Sequence, residues 1–440
     1  MRKAFVALGV CFALGCSGAT DPSGERRLPP LHPIVTNLET PEATPPATPT
    51  PAATPTAPPP ERLTTDLPHG EPPAVTPVPT ATPRGGDTGS AGSVDASFGK
   101  NGHFDAFYSI DSIEEESDGA ILFTGWHDGP GLKVCRLTAD GDPDLSFGSS
   151  NGCTNIDLGY VASSGTQVLS HDGRIYAAGV GNARVVVRLF PDGQLDTSFG
   201  VGGLVTLPDR VWPRRLELDE DALLVSATGD FGMLLRLSAT GDLDTTFGVD
   251  GIVYLEDPLT NGPAIVRLSD GWWIAATRTK IFAFDPHGAR STTFGDGGSL
   301  TLPFWINALS ADGKGALLAA GDGMAVARFS TTGALLAFYP ALDPGYEVDG
   351  ALRWGEARDL WVEGDGTMIM GGEYFFEDDS SMGIGRRLPD GSPDLSFGTG
   401  GAHSYGPYPG ENALIVLRDG RYLLAGSWND YRGILLRVWN

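Results

Sequence analysis

The sequence concentrates aromatic and carboxylate side chains in one irregular stretch between Phe338 and Phe397. Aromatic rings pack against the apolar faces of sugars and peptides, and carboxylates accept hydrogen bonds from hydroxyl and amide groups. Such a mixture suits the binding of a sugar or a peptide, although a solvated and partly packed loop has the same composition. The candidate binding residues are Trp354, Glu356, Trp361, Glu373, Tyr374, Phe375, Glu377 and Asp378.

Residue spacing does not single out catalytic groups. Glycoside hydrolysis needs two carboxyl groups in different environments, and no pair of Asp or Glu residues stands apart in this way. The run Glu114-Glu115-Glu116 is interpreted as an exposed turn. We therefore predict no catalytic residues and a protein that is not an enzyme. The alternative is an extracellular polysaccharide hydrolase or lyase that uses the residues between Glu356 and Asp379.

Three alternating aspartates, Asp140, Asp142 and Asp144, resemble the start of a calcium loop. Ca²⁺ takes several carboxylate and carbonyl oxygens from closely spaced positions. Aspartate is also favoured in turns, where its side chain bonds to its own backbone, and other copies of the repeat lack one or more of these aspartates. We therefore predict that the protein has no cofactor and no metal site. The alternative is a propeller that Ca²⁺ or another divalent ion stabilises.

The charge and the cysteines narrow the class of partner. A formal net charge of −25 argues against nucleic acid and against an anionic membrane surface. Cys135 and Cys153 are the two cysteines of the foldable part, where a disulfide is allowed outside the cytoplasm and two free thiols fit the sequence as well. The expected partner is an envelope or extracellular protein or glycan.

The elements that must position these groups belong to a repeat of about fifty residues. Six copies carry a Phe-Gly pair, and a seventh, degenerate copy is marked by Phe338. Because these phenylalanines recur around the whole domain, we interpret them as structural residues that fill the contact between neighbouring units. They are Phe98, Phe147, Phe199, Phe247, Phe294 and Phe397.

Two other landmarks keep step with Phe-Gly. An Asp-Gly turn precedes an apolar run, as at Asp172-Gly173, and a second apolar strand ends in an arginine followed by an apolar residue. We predict that this arginine pairs with an aspartate of the following turn, such as Asp144, Asp196 or Asp244. The arginines are Arg136, Arg188, Arg236, Arg328, Arg387 and Arg437.

Each unit offers four short strands, which is the size of one propeller blade. The predicted fold is therefore all-β: a seven-bladed β-propeller of four-stranded antiparallel blades. The chain ends on a strand without a following turn, and residues 93–99 supply that turn before the first unit. This arrangement predicts a closed ring in which the two ends of the repeat region meet.

The repeat resembles the delta-60 repeat family of bacterial surface and secreted proteins. The resemblance rests on the order of Asp-Gly, Leu-Asp, Phe-Gly, a further glycine and the arginine strand, and it covers the chain from about Val94 to Asn440. Asp192 to Gly203 and Thr240 to Gly251 match the family pattern nearly position for position. The resemblance implies a β-propeller, and it implies no particular activity.

The N-terminal part predicts an export signal and a tether. Met1-Arg2-Lys3 is basic, an apolar run follows, and Ala13-Leu14-Gly15-Cys16 resembles the lipobox of bacterial lipoproteins, in which the cysteine is lipidated. Residues 17–91 are dominated by Pro, Thr and Ala and cannot bury a core, so they are expected to be a disordered spacer.

We therefore expect three segments: a signal peptide (1–16), a disordered Pro/Thr/Ala-rich tether (17–91) and a propeller (92–440). We expect an exported protein that is either secreted or held in the cell envelope as a lipoprotein of the outer membrane. In the second case it contacts the membrane only through its lipid. An ordinary signal peptide that ends near a cysteine is the alternative to lipidation of Cys16. The expected function is binding or scaffolding at the cell envelope.

Overall fold

The computed structural model describes residues 89–440, except 107–108, 159–161, 256–262, 343–346, 349–350, 353, 376–379, 407–410 and 428–431. Cys16, most of the predicted tether and two candidate binding residues, Glu377 and Asp378, lie outside the described residues. The described part contains no α-helix, and so none that is long and apolar enough to span a membrane.

The described residues form 31 β-strands, most of them four to eight residues long. In chain order they are β1 (His103–Ala106), β2 (Ser112–Glu115), β3 (Ile121–Thr124), β4 (Trp126–Pro130), β5 (Leu132–Leu137), β6 (Cys153–Ile156), β7 (Ala162–His171), β8 (Arg174–Val180), β9 (Arg184–Leu189), β10 (Leu204–Thr206), β11 (Trp212–Asp219), β12 (Ala222–Thr228), β13 (Gly232–Leu237), β14 (Ile252–Leu255), β15 (Ala264–Arg267) and β16 (Trp273–Ala276). They continue as β17 (Lys280–Phe284), β18 (Leu300–Thr301), β19 (Ile306–Ala311), β20 (Ala316–Gly321), β21 (Val326–Ser330), β22 (Leu335–Tyr339), β23 (Glu347–Val348), β24 (Ala351–Leu352), β25 (Trp354–Val362), β26 (Met368–Phe375), β27 (Ser380–Arg387), β28 (Ala402–Tyr405), β29 (Glu411–Val416), β30 (Tyr422–Ser427) and β31 (Gly433–Val438).

Seven antiparallel sheets make the seven blades, which confirms the predicted seven-bladed propeller of four-stranded blades. Blade 1 has the strand order β2-β3-β5-β6, and blade 2 has β7-β8-β9-β10 with β4 added beside β7. Blades 3, 4, 5 and 6 are β11–β14, β15–β18, β19–β22 and β25–β28, and β23 pairs with β24 between blades 5 and 6. The first strands of successive blades contact one another around the ring, so they surround the axis.

Blade 7 closes the ring by combining both ends of the repeat region. Its strand order is β29-β30-β31-β1, so the outermost strand comes from the start of the domain. His103 pairs with Leu436, and the Gly92 N–H donates to the Trp439 carbonyl at 2.8 Å. This antiparallel pairing ties residues more than three hundred positions apart into one blade.

The Phe-Gly phenylalanines fill the space between neighbouring blades. Each begins the turn into an outermost strand, and all six are at most 2% exposed. Phe199, for example, packs in one cluster with Val186 of blade 2 and Val225 of blade 3. Between blades 5 and 6 the place is taken by Tyr339, because Gly391 sits against its ring as Gly241 sits against Phe199. Phe338, the residue expected to mark this copy, instead lies within β22 and is 42% exposed.

An arginine of the third strand links each regular blade to the next. Arg188 Nε donates to Asp196 Oδ2 at 2.9 Å, and its Nη1 donates at 2.6 Å to the Ala239 carbonyl in a turn of blade 3. The guanidinium also lies 4.8 Å from the centroid of the Phe199 ring. The same three contacts recur at Arg136, Arg236 and Arg437, with Asp144, Asp244 and Asp95 as the carboxylate partners.

Blades 4, 5 and 6 depart from this pattern, and in blade 4 Ala283 stands at the position of the arginine. In blade 6 the linking arginine is Arg386, whose Nε lies 3.0 Å from Asp394 Oδ2, and the expectation of Arg387 was wrong by one residue. Arg387 points to the opposite face of the strand, where it is buried and donates to the Gly391 carbonyl at 2.9 Å. This burial lowers its pKa to about 10. Arg328 pairs with Asp312 because the degenerate copy has no aspartate in the following turn.

The two ends of the blades carry different connections. The end that we call the turn face carries the Asp-Gly turns between first and second strands and the Phe-Gly turns between third and fourth strands. The opposite end, the loop face, carries the connections between second and third strands and those between blades. These inter-blade connections range from four residues between Thr301 and Ile306 to fourteen between Tyr339 and Trp354.

Candidate functional site

The first strands of five blades contain a β-bulge at equivalent positions near the loop face. The register shifts lie in β7, β11, β19, β25 and β29, and each leaves one extra residue that the neighbouring strand does not pair. A bulge redirects the side chain of its extra residue, and bulges are common beside functional sites. Here the extra residues are Thr166, Arg214, Asn307, Arg358 and Asn412.

These five side chains line a single cavity of about 420 Å³. Asp111 occupies the equivalent position in blade 1 and also lines the cavity, while blade 4 has Pro263 there. The cavity therefore lies on the ring axis and takes residues from six of the seven blades. We refer to it below as the axial cavity.

Arg215 of blade 3 reaches across the axis to blades 5 and 6. Its Nη2 donates to the carbonyls of Asn307 and Arg358, at 3.2 and 3.3 Å, and its Nη1 lies 3.7 Å from Asp359 Oδ1. Asp359 Oδ2 in turn accepts the Leu414 N–H at 2.8 Å. Burial raises the pKa of Asp359, and the Arg215 charge and the Leu414 N–H oppose that rise. This polar network joins blades 3, 5, 6 and 7.

The walls of the axial cavity present both hydrogen-bond donors and acceptors. Asn307 Nδ2 donates to Glu356 Oε1 at 2.9 Å, and Asn412 Nδ2 donates to the Ile110 carbonyl at 2.9 Å. Arg358 Nη2 donates to Glu373 Oε2 at 2.7 Å. Two atoms shielded from solvent, Thr166 Oγ1 and Arg358 Nε, have no hydrogen-bond partner within the described residues. Such atoms are costly unless something pairs with them.

Two carboxyl groups lie three residues beyond the bulge positions, on blades 1 and 3. Glu114 and Glu217 occupy equivalent places, each opposite a leucine that pairs with a linking arginine. Burial and the neighbouring Glu217 raise the pKa of Glu114 to about 8. Burial raises the pKa of Glu217 to about 7, against the effect of Arg215. The interpretation of Glu114 as part of an exposed turn was wrong, since it lies in β2 and lines the cavity.

Two tryptophans stand at equivalent places on the loop face, two residues before a bulge residue. Trp212 precedes Arg214 and Trp305 precedes Asn307. Each ring is covered by an arginine of the preceding blade, with Arg184 and Arg278 both 5.2 Å from the ring centroids. Trp305 is 54% exposed, so much of its indole remains open to solvent.

The predicted binding residues are divided between the axial cavity and the core of the blades. Glu356 and Glu373 are partners across β25 and β26, and both take part in the polar network around the cavity. Trp361 lines the cavity and donates its indole N–H to the Leu414 carbonyl at 2.9 Å. Tyr374 is buried, and its hydroxyl donates to Met324 Sδ at 3.3 Å. Trp354 and Phe375 occupy strand positions at the loop-face ends of β25 and β26.

The remaining predicted residues lie away from the axis. Asp140, Asp142 and Asp144 belong to one turn of the turn face, where Asp144 is held by Arg136 and by the Ser146 hydroxyl. Within the part of the chain that the structure describes, no group of three His, Cys, Asp or Glu side chains is placed to hold a metal ion. Cys135 and Cys153 lie directly opposite each other on β5 and β6 and are joined by a disulfide.

Sequence reasoning missed most of the axial cavity. Thr166, Arg214, Asn307 and Asn412 belong to no motif, and the bulges that turn them toward the axis carry no common residue. The available signal was positional: each of the four lies in the loop-face half of the first strand of its unit. Counting back from the Asp-Gly turns would have placed them at the loop face.

Two segments, residues 116–147 and 171–199, match the family model described as "Domain of unknown function (DUF5122) beta-propeller". The chain is a β-propeller repeat protein. Each matched segment ends at a Phe-Gly phenylalanine, Phe147 or Phe199, and contains one linking arginine. No curated protein matches the propeller significantly.

Solved structures of other proteins are similar to the propeller at low sequence identity. The WD40 β-propeller domain of Doa1 is 10% identical with a TM-score of 0.49, covering 75% of this chain and 93% of that one. A protein of unknown function from Bacteroides caccae is 12% identical with a TM-score of 0.41, covering 62% and 92%. A chain of a mitotic checkpoint complex is 11% identical with a TM-score of 0.48, covering 81% and 99%.

Proposed function

We propose that this protein is a non-enzymatic binding domain that is exported and presents its loop face to a glycan or protein of the cell envelope. The axial cavity carries the proposal, because it gathers polar side chains from six blades at the face with variable connections. Loops on a rigid scaffold are where binding residues concentrate. The repeated residues of the turn face, by contrast, are engaged in holding the blades together.

The proposal is tested by sedimentation of the purified chain with isolated cell envelopes. Trp305→Ala combined with Asn307→Ala is expected to lower the bound fraction, because Asn307 lines the axial cavity and Trp305 is an exposed aromatic residue two positions before it. Leu145→Ala combined with Leu395→Ala is the matched control, since both leucines are 75% exposed on the turn face. Equal loss in the two double variants, or no sedimentation of the unaltered chain, would contradict the proposal.

The proposed location depends on Cys16 and on the Pro/Thr-rich residues that follow it. A lipid on Cys16 would hold the propeller at the membrane surface, and an extended spacer would set it at a distance. Cells that express the chain are expected to incorporate labelled palmitate into it and to lose the label in Cys16→Ala. Labelling that persists in this variant would show that Cys16 is not the lipidated residue.

A second candidate function, cleavage of an extracellular polysaccharide, is favoured by Glu114 and Glu217. With a pKa of about 8, Glu114 is mostly protonated at neutral pH, as a general acid requires, and Glu217, with a pKa of about 7, is about half protonated. Glu356 and Glu373, the carboxylates predicted for this role, are instead engaged by Asn307 and Arg358. New reducing ends released from a polysaccharide, and lost in Glu114→Gln, would favour the enzyme over the binding domain.

A further inference from the structure

We propose that the axial cavity binds uncharged sugar residues of a glycan and that Trp305 is the aromatic platform on which a sugar ring stacks. This inference rests on the proposed binding function and adds the chemical class of the ligand. A sugar offers hydroxyl groups that both donate and accept, together with apolar C–H faces. The cavity and its rim offer the complement of each.

The first step is the hydrogen-bonding character of the cavity. Donors come from Asn307, Asn412 and Arg358, and acceptors come from the carboxylates of Asp111 and Glu356. A hydroxyl group is one donor and two acceptors, so it can bond to an amide and to a carboxylate at once.

The second step is charge. At the loop-face end, three guanidinium groups, those of Arg214, Arg215 and Arg358, are matched by three carboxylates of the same cavity, those of Asp111, Glu356 and Asp359. An anionic ligand would meet these carboxylates, and a cationic ligand would meet the guanidinium groups. The balance therefore favours a polar ligand without net charge.

The third step is size and shape. The cavity volume of about 420 Å³ lies within the range of roughly 300–1,000 Å³ that small-ligand sites occupy. Arg215 reaches across the axis to the Asn307 and Arg358 carbonyls, which narrows the passage for a continuous chain and favours a chain end or a side branch of a glycan.

The fourth step is the platform. Trp305 directly precedes β19 and stands two residues before Asn307, so the Cα atoms of the two residues are at most about 7 Å apart. Its indole is 54% exposed and is held by Arg278. An exposed aromatic ring two residues from a cavity residue suits a sugar, whose ring has one apolar face. A peptide that added a strand would need a free sheet edge, and the outermost strands lie at the far side of the blades.

The experiment uses the purified full chain on an array of neutral oligosaccharides built from glucose, mannose, galactose and N-acetylglucosamine. Polygalacturonate and polyglutamate serve as anionic comparison probes. Calorimetry on the neutral oligosaccharide that binds best should show an affinity that changes little between low and high salt, because no charge is exchanged. Trp305→Ala and Asn307→Ala should each weaken that affinity about tenfold or more.

Tyr254→Ala is the matched aromatic control, because Tyr254 is 59% exposed on β14, away from the cavity, and the variant should bind within about twofold of the unaltered chain. Melting temperatures of the three variants separate lost binding from lost folding. Binding of polygalacturonate or polyglutamate alone would overturn the sugar class. Retained envelope sedimentation with no bound neutral oligosaccharide would also overturn it, while leaving the binding function in place.

Discussion

The turn face and the loop face of the propeller are built from the same strands but use their residues in opposite ways. On the turn face, Arg188, Asp196 and Phe199 form a unit that recurs from blade to blade and is satisfied within the protein. On the loop face, equivalent positions hold different residues, such as Arg214, Asn307 and Asn412, which converge once on the axis. A repeated residue thus stabilises the ring, while a residue that differs between blades is free to form a single site.

The largest effect is expected from Phe199→Ala on the turn-face side of this comparison. Deleting a fully buried ring leaves a cavity between blades 2 and 3, which should lower the free energy of unfolding by about 3–5 kcal/mol. Phe231→Ala is the matched control, because Phe231 is 48% exposed on the loop face, and it should cost at most about 0.5 kcal/mol. Urea unfolding measures both, and similar losses would contradict the division between the faces.

Asp196→Asn should lower the free energy of unfolding by somewhat less, about 3 kcal/mol, because it leaves the Arg188 guanidinium without its buried carboxylate. Burial alone would raise the pKa of Asp196, but the Ser198 hydroxyl and N–H, with Arg174 and Arg188, lower it to about 2. A lowered pKa adds stability above the unfolded value of 3.8, and this contribution is lost as the pH falls toward 2.

The check is a pair of melting curves at pH 7 and pH 2 for the original chain and Asp196→Asn. The difference in melting temperature between the original chain and the variant should be large at pH 7 and small at pH 2. Asp192→Asn is the control, since Asp192 is exposed and bonds to Gln194 within its own turn. A difference that does not depend on pH would show that the ion pair is not the source of the stability.

Glu114→Gln tests the axial cavity. It should stabilise the protein at high pH, whereas Asp196→Asn destabilises it. Folded Glu114 keeps its proton up to a pH of about 8, whereas the unfolded residue loses it near 4.5, so stability falls as the pH rises between these values. The variant should therefore melt about 2–4 °C higher than the original chain at pH 9 and equally at pH 4. Glu217, Glu115, Glu116 and Arg418 contribute to the same field and are left unchanged.

Glu220→Gln is the control for this prediction, because Glu220 is an exposed residue of the turn face. It should melt like the original chain at both pH values. A Glu114→Gln variant that is equally stabilised at pH 4 and pH 9 would show that its effect comes from packing and not from the proton.

Trp305→Ala should have the smallest effect on stability, within about 0.5 kcal/mol, because the ring is more than half exposed and its main contact is with Arg278. The same variant should have the largest effect on binding. Denaturant unfolding and envelope sedimentation on one preparation measure both quantities. A large loss of stability would place Trp305 with the structural residues and would blur the distinction between the faces.

Much of the fold was predictable because the information is local and repeated. Asp-Gly turns, apolar runs and the spacing of Phe-Gly predicted four strands a blade and seven blades, and the structure confirms both. The arginine partners of Asp144, Asp196 and Asp244 were also predicted, because the two residues lie eight positions apart and meet across one turn. The exceptions, Arg387 and Phe338, fall in the blades where the repeat has changed.

The sequence by itself determined the ring, since each unit carries the signals of its own turns and strands and the ends supply complementary parts of blade 7. Only the tertiary structure decided where a site lies. Glu356, Asn307, Arg214 and Asp111 are separated by up to 245 positions, and ring closure alone brings them to one axis. A β-bulge depends on the pairing of a strand with its neighbour and not on one residue type, so no local pattern announced which side chains would converge.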